Sequence, residues 1–429
     1  MHKTLYLCLL SSSLLAQSGP FPSTGAKPQQ FYSTSSVAKQ GFSAQRLQRI
    51  DSLLQGFVDK GIAPNAVAFV ARNGVVVHHK AYGYSNLAKR IPARTSDIYR
   101  IASQSKAITT ATLLTLLEEQ KFLLDDPIAK YIPAFKNPTV LVSYDKNDPA
   151  KGSYETRPAK TGITIRELLS HSAGIPYEHP LETRAEFKVP FFASLEPDRL
   201  EDVVNKIAKR PLLKDPGDGF VYGLNTDIIG RLVEILSGDP LDVAMRKRVL
   251  DPLGMKDTYF YLPANKAARL VELYSKEADG PLTVHTNDVY RKFAVAGGKT
   301  YFSGGAGLVS TVEDYAKFCQ MLLNGGEFNG KHILGRKTVE MMVRNQIGEG
   351  TVWDRQDKFG MGLQLITSSS HYGDQASPGS YTWGGMYCSE YTVDPTENVI
   401  MLVFTNVHPY AHYSEFVRKF RMAVYQAME

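Results

Sequence analysis

From Lys106 to Leu117 the chain reads Lys-Ala-Ile-Thr-Thr-Ala-Thr-Leu-Leu-Thr-Leu-Leu, apolar round most of its circumference and free of Gly and Pro. A helix of that kind is stable only when other elements enclose it, so the rest of the fold must be built around this segment. Ser103-Gln104-Ser105-Lys106 opens it and places Ser103 in its first turn. Residues three apart on a helix lie one above the other, which brings the Lys106 ammonium within reach of the Ser103 hydroxyl. Apolar surroundings disfavour the charged amine, lower its pKa and let it take the serine proton near neutral pH. The helix N-terminus adds unpaired amide donors where an oxyanion would form. Ser-x-x-Lys alone is common and equally describes a surface helix started by a capping serine. The enclosed helix and the partners downstream are what favour the chemical interpretation.

The elements around this helix have a definite order. A first helix follows Ser43, with Leu47, Ile50, Leu54 and Phe57 at helical spacing. Ala66–Ala71 and Val75–His79 read as adjacent antiparallel strands, joined through Asn73-Gly74, which supplies the positive φ angles of a tight turn. The middle, residues 107–295, reads as helices and loops with few strands, its helices spanning 198–208, 227–236 and 242–249. Ser310-Thr311-Val-Glu-Asp314 then opens a helix with a capping-box pattern, and Gly325-Gly326 closes it. Strands are predicted at 361–366, 390–393 and 399–404, before a final helix with Val417, Phe420 and Val424. This order implies an α+β fold: an antiparallel sheet flanked by helices, its two halves (43–106 and 296–429) separated by a mainly helical insertion.

A chain of 429 residues, 43% hydrophobic, is long enough for a large core. Its net charge of +6 is spread without a basic block, which excludes a nucleic-acid-binding stripe, and no apolar run spans a bilayer. Residues 1–18 resemble an export signal: His2 and Lys3, an apolar run from Leu5 to Leu10, then small residues suited to cleavage after Ser18. The mature chain is therefore expected to be periplasmic or secreted. Cys8 lacks the small residues that precede a lipoprotein cysteine, which disfavours a lipid anchor. Residues 19–42, rich in Pro, Ser, Gln and Gly, read as a flexible leader, and the two remaining cysteines, Cys319 and Cys388, make no disulfide framework.

With these elements in place, several segments together carry a resemblance: Arg100-Ile-Ala-Ser-Gln-Ser-Lys106, Ile165-Arg-Glu-Leu-Leu-Ser-His171-Ser-Ala-Gly, Tyr222-Gly-Leu-Asn-Thr-Asp227, Asp251-Pro-Leu-Gly-Met, Gly304-Gly-Ala-Gly and Trp383-Gly-Gly. In this order they resemble the serine β-lactamase and penicillin-binding protein superfamily, in particular its class C branch with the family VIII esterases, over essentially 43–429. The resemblance implies a β-lactamase/transpeptidase-like fold and a serine hydrolase acting through an acyl-enzyme. It implies catalytic roles for Ser103, Lys106 and Tyr222, with Ser103 and Met386 amides as the oxyanion hole and Trp383, Gly384, Gly385 and Asn225 at the substrate. A nearby lysine charge would stabilise the Tyr222 phenolate, so either Tyr222 or Lys106 could deprotonate Ser103.

Two departures from the family pattern bear on substrate choice. The asparagine after Tyr222 comes one residue late, so Asn225 stands either at the substrate or as a cap of the next helix. Trp383 replaces a lysine on the strand lining the site, which removes a cation for substrate carboxylates and favours neutral carboxylic esters over β-lactams or acyl-D-Ala peptides. The literal Lys160-Thr161-Gly162 lies too early in the chain and reads as a decoy. His171 reads as a hydrogen-bonded loop residue, the histidines form no zinc pattern, no cofactor is expected, and no Gly-x-Ser-x-Gly elbow occurs. A catalytically idle protein that binds cell-wall peptides is the alternative from another class.

Overall fold

The computed structural model describes residues 27–429 apart from 35 and 373. The export signal expected over 1–18 lies outside the described residues. Among the described residues, no helix is long and apolar enough to cross a membrane.

The elements that position the site are helix α1 (Ala44–Asp59), strands β1 (Asn65–Arg72) and β2 (Val75–Asn86), helix α2 (Ser105–Glu118), helix α3 (Asn225–Ser237), helix α4 (Val312–Leu323), strands β3 (Tyr381–Gly385), β4 (Ser389–Asp394) and β5 (Val399–Phe404), and helix α5 (Tyr413–Gln426). The central sheet runs β2-β1-β5-β4-β3 and is antiparallel throughout this stretch. Chain-distant halves therefore meet at β1 and β5, where Val399 faces Arg72 and Phe404 faces Val67.

Alternation along the strands decides what each face covers. Ala66, Ala68, Val70, Val399, Met401 and Val403 face α1 and α5, meeting Ile50, Leu54, Phe416 and Phe420. Val67, Phe69, Ala71, Ile400, Leu402 and Phe404 face the other way, into the larger core that contains α2, α4 and the helical insertion. A strand buried on both faces loses the polar/apolar alternation and becomes the continuous apolar run Val-Ile-Met-Leu-Val-Phe. Phe404 has no exposed surface and lies edge-on to Tyr99 at 6.0 Å. Phe404→Ala is expected to cost about 3–5 kcal/mol, read as a lower denaturant midpoint with an unchanged m-value.

Helix α2 is enclosed as its composition requires, with Ala107, Ile108, Ala111, Leu113, Leu114 and Leu116 all buried. Asn73 and Gly74 carry φ of 53° and 75°, as the tight hairpin turn demands. Thr311 caps α4 by accepting from the Asp314 amide at 3.1 Å, but the box is not reciprocal: Asp314 accepts instead from the Asp257 amide at 2.6 Å.

Several elements differ from the expectation. Part of the stretch expected to be flexible leader packs on the fold: Tyr32–Ser33 pairs with β2, and Phe42 is fully buried. In the middle of the chain, expected to hold few strands, residues 139–158 form a hairpin of Thr139–Tyr144 and Tyr154–Pro158. Most of its side chains are exposed, so no buried face marks it in the sequence. The strand expected at 361–366 shrinks to Gln364–Leu365 because Gly362, at φ 74°, turns the chain. The helix expected over 242–249 breaks into an α-turn, Leu241–Met245, and a wider π turn, Arg246–Leu250.

Candidate active site

Ser103 sits in a 3₁₀ turn, Ala102–Gln104, that feeds into α2 rather than in the α-helix itself. Ala102 takes the left-handed conformation, φ 41°, which an L-residue keeps only when its surroundings hold it. They do: Ser105 Oγ donates to Ala102 O at 2.6 Å and accepts from the Leu308 amide at 3.1 Å, and Tyr315 of α4 donates to Gln104 O at 2.9 Å. The turn that carries Ser103 is thus fixed by contacts that do not involve the Ser103 hydroxyl.

Lys106 has no exposed surface. Its Nζ lies 3.3 Å from Ser103 Oγ and donates to Tyr177 Oη and to Gly305 O, each at 2.8 Å. Burial lowers the ammonium to about 7, and the buried carboxylate of Asp227 on α3 opposes that shift without reversing it. Asp227 is in turn held by Tyr301 Oη at 3.3 Å, and burial pushes its own carboxyl up.

Tyr222 Oη donates to Ser103 Oγ at 2.6 Å and accepts from Trp383 Nε1 at 3.3 Å. The expectation that lysine charge would stabilise a phenolate here is corrected: burial dominates and pushes the Tyr222 phenol above its ordinary value. Lys106 Nζ does approach the ring face, 4.6 Å from its centroid. An amine that loses its proton near neutrality and a phenol that keeps its own can together accept a serine proton and hand one on.

Trp383, Gly384 and Gly385 lie on β3, with Trp383 stacked at 5.7 Å and 17° on Trp353. The glycines have a structural reason of their own. A Cβ on Gly384 would strike Tyr413 Oη, and one on Gly385 would strike Ile101 O. Protein atoms, and not substrate alone, therefore require glycine there. Met386 and Ser103 both line each limb of a cleft that divides at Ser103. One limb, about 720 Å³, is walled by Phe191, Phe192, Val189, Tyr177 and Leu224. The other, about 210 Å³, is walled by Trp353, Trp383, Tyr372 and Arg355.

Asn225 is the one candidate that does not join them. Its Nδ2 faces His171 Nδ1 at 2.8 Å and Ile175 O at 3.2 Å, it is fully buried, and it lines neither limb. It also caps nothing, since Leu224 holds the N-cap of α3. Coming one residue late turns the side chain inward, so both expectations for Asn225 are corrected. His171 is a buried loop residue that also accepts from the Gly223 amide at 3.3 Å and packs its ring 4.9 Å from that of Tyr222. Lys160-Thr161-Gly162 lies on the surface, where Lys160 Nζ pairs with Asp215 at 3.4 Å. Cys319 and Cys388 are both buried and free.

Sequence reasoning missed Tyr177, Gly305, Trp353 and Arg355. Tyr177 and Gly305 belong to segments adjoining or carrying the resemblance, but no spacing tied them to Lys106. Trp353 and Arg355 stand in a polar loop without periodicity.

The Beta-lactamase family model matches residues 50–425. An uncharacterized protein of Mycobacterium tuberculosis is 29% identical over 359 residues, covering 80% of this chain and 86% of its own. A protein of Escherichia coli, named provisionally as a D-alanyl-D-alanine carboxypeptidase, is 27% identical over 429 residues, covering 94% and 90%. The solved structure of EstCE1, described as a hydrolase with promiscuous acyltransferase activity, is 26% identical, covers 91% of this chain and 100% of that one, and superposes with a TM-score of 0.75. The fold and these likenesses are those of a serine hydrolase. The chain belongs to the β-lactamase family.

Proposed function

We propose that this protein is an exported esterase that cleaves carboxylic esters through an acyl-enzyme on Ser103. The observation that carries this reading is the placement of Ser103 Oγ between Lys106 Nζ at 3.3 Å and Tyr222 Oη at 2.6 Å. Neutral Lys106 keeps its two hydrogens on Tyr177 Oη and Gly305 O, which leaves its lone pair for the Ser103 proton. Ser103 attacks the ester carbonyl, and the Ser103 and Met386 amides hold the oxyanion. The proton taken by Lys106 passes through Tyr222 to the departing alkoxide, and water then releases the acyl group by the reverse path.

Two features support esters as the substrate. Trp383 stands where the family carries a lysine, and the larger limb offers an apolar and aromatic wall of Tyr177, Val189, Phe191, Phe192 and Leu224 beside the charged Glu178, Glu182, Lys188 and Arg210. The name of the Escherichia coli relative supports a second reading, peptidase action on acyl-D-Ala ends.

Short p-nitrophenyl esters, nitrocefin and an acyl-D-Ala-D-Ala peptide, each followed by intact-protein mass measurement, decide between them. The expected result is turnover of esters with an acyl adduct on Ser103. Rapid nitrocefin or peptide turnover with inert esters reverses the assignment. No labelling by a fluorophosphonate or a fluorescent penicillin would leave a binding protein.

A further inference from the structure

The narrow limb of the cleft holds a cation that the proton transfers do not use. The guanidinium carbon of Arg355 lies 4.7 Å from the ring centroid of Trp353 and 4.1 Å from that of Tyr372. Two aromatic faces thus orient it while leaving its five N–H groups free to donate. Among the described residues, no side chain or carbonyl accepts from it. Its neighbours differ: Arg421 pairs with Glu390 and Arg418 with Asp374.

Among the described residues, no acid near the limb forms an ion pair with Arg355. Glu390 is held by Arg421 and accepts from Tyr372 Oη at 2.9 Å. Asp357 is buried with Oδ2 accepting from Gln364; burial pushes its carboxyl up, and the Arg355 charge opposes that shift without pairing with it. The aromatic series Tyr222, Trp383, Trp353, with centroids 5.2 Å and 5.7 Å apart, joins the nucleophile to the guanidinium. A group bound against Arg355 therefore lies in the same limb as Ser103 Oγ.

We propose that Arg355 is a specificity-determining residue that holds a carboxylate of the substrate in the narrow limb, so that the preferred esters carry an anionic group on the part lying beside Trp383. The inference rests on the ester-hydrolase reading and narrows its substrate class. It reverses what Trp383 alone suggests. A guanidinium fork binds a carboxylate through two parallel hydrogen bonds, with direction as well as charge.

The test compares p-nitrophenyl hydrogen glutarate with p-nitrophenyl valerate, and 4-acetoxybenzoate with phenyl acetate, so that the carboxylate is carried on the acyl part or on the alcohol part. The wild-type protein is expected to favour the charged member of one pair in kcat/KM, and Arg355→Gln to lower that ratio at least about tenfold. Arg355→Lys keeps the charge and is expected to keep part of the ratio. A ratio that stays the same in both pairs overturns the proposal.

Binding supplies an independent readout, because Trp353 and Trp383 are the only two tryptophans of the chain and both line this limb. In the Ser103→Ala background, tryptophan fluorescence should report 4-acetoxybenzoate or hydrogen glutarate ester binding that Arg355→Gln weakens about tenfold. Equal affinity with and without Arg355 refutes it. If no ester is turned over and a fluorophosphonate leaves Ser103 unlabelled, the hydrolase reading fails, while this titration still decides the role of Arg355.

Discussion

Ser103→Ala protein is expected to fold normally, to lose ester hydrolysis by about 10³-fold or more, and to form no acyl adduct. The structure separates the Ser103 hydroxyl from the contacts that hold its turn. The turn that presents Ser103 is held by Ser105, by Tyr315 and by the Leu308 amide, none of which touches Ser103 Oγ. Lys106 keeps Tyr177 and Gly305, and Tyr222 keeps Trp383. Stability should therefore change by less than about 1 kcal/mol, as for a substitution that opens no large cavity. Steady-state rates, intact mass and a denaturant curve on the same preparation check this. A variant that still hydrolyses esters within tenfold of wild type would place the nucleophile elsewhere.

The second large effect concerns Lys106 and pH. Burial lowers its ammonium to about 7, and in the proposed mechanism the base is the neutral amine. The sign follows: below pH 7 the amine is protonated and cannot take the Ser103 proton, so kcat/KM should rise with pH through about 7 and then level. The Tyr222 phenol, pushed upward by burial, stays protonated across that range and adds no second limb there. Lys106→Ala is expected to lower kcat/KM by about 10²–10⁴ and to abolish the acid limb. An acid limb that survives in that variant would assign the base to another group. A cavity left in α2 could also destabilise the variant, and Lys106→Met, which nearly fills the same volume, separates that loss from the loss of the base.

The parts of the site that were legible share one property: their geometry is local or is written into a strand. Ser103 and Lys106 are three residues apart, so the turn alone brings them together. Trp383, Gly384 and Gly385 belong to one strand whose run leads to Met386. Tyr222 is distant in sequence and came only through the resemblance. Tyr177 and Arg355 illustrate what stayed hidden. Each reaches the site from a loop, and a loop has no periodicity from which direction can be read. Asn225 shows the opposite error. A displacement of one residue at a helix start rotates a side chain by about 100°, enough to exchange the cleft for His171.

By itself, the amino-acid order determined the enclosed helix with its serine and lysine, the strands buried on one or both faces, and hence the class of fold, because periodicity and apolar content act over a few neighbouring residues. Only the tertiary structure decided that burial pushes the Tyr222 phenol up and the Lys106 ammonium down, that Asn225 turns inward, and that Arg355 lines the narrow limb. Burial and the distances between charges belong to the packed molecule, and no single segment of chain contains them.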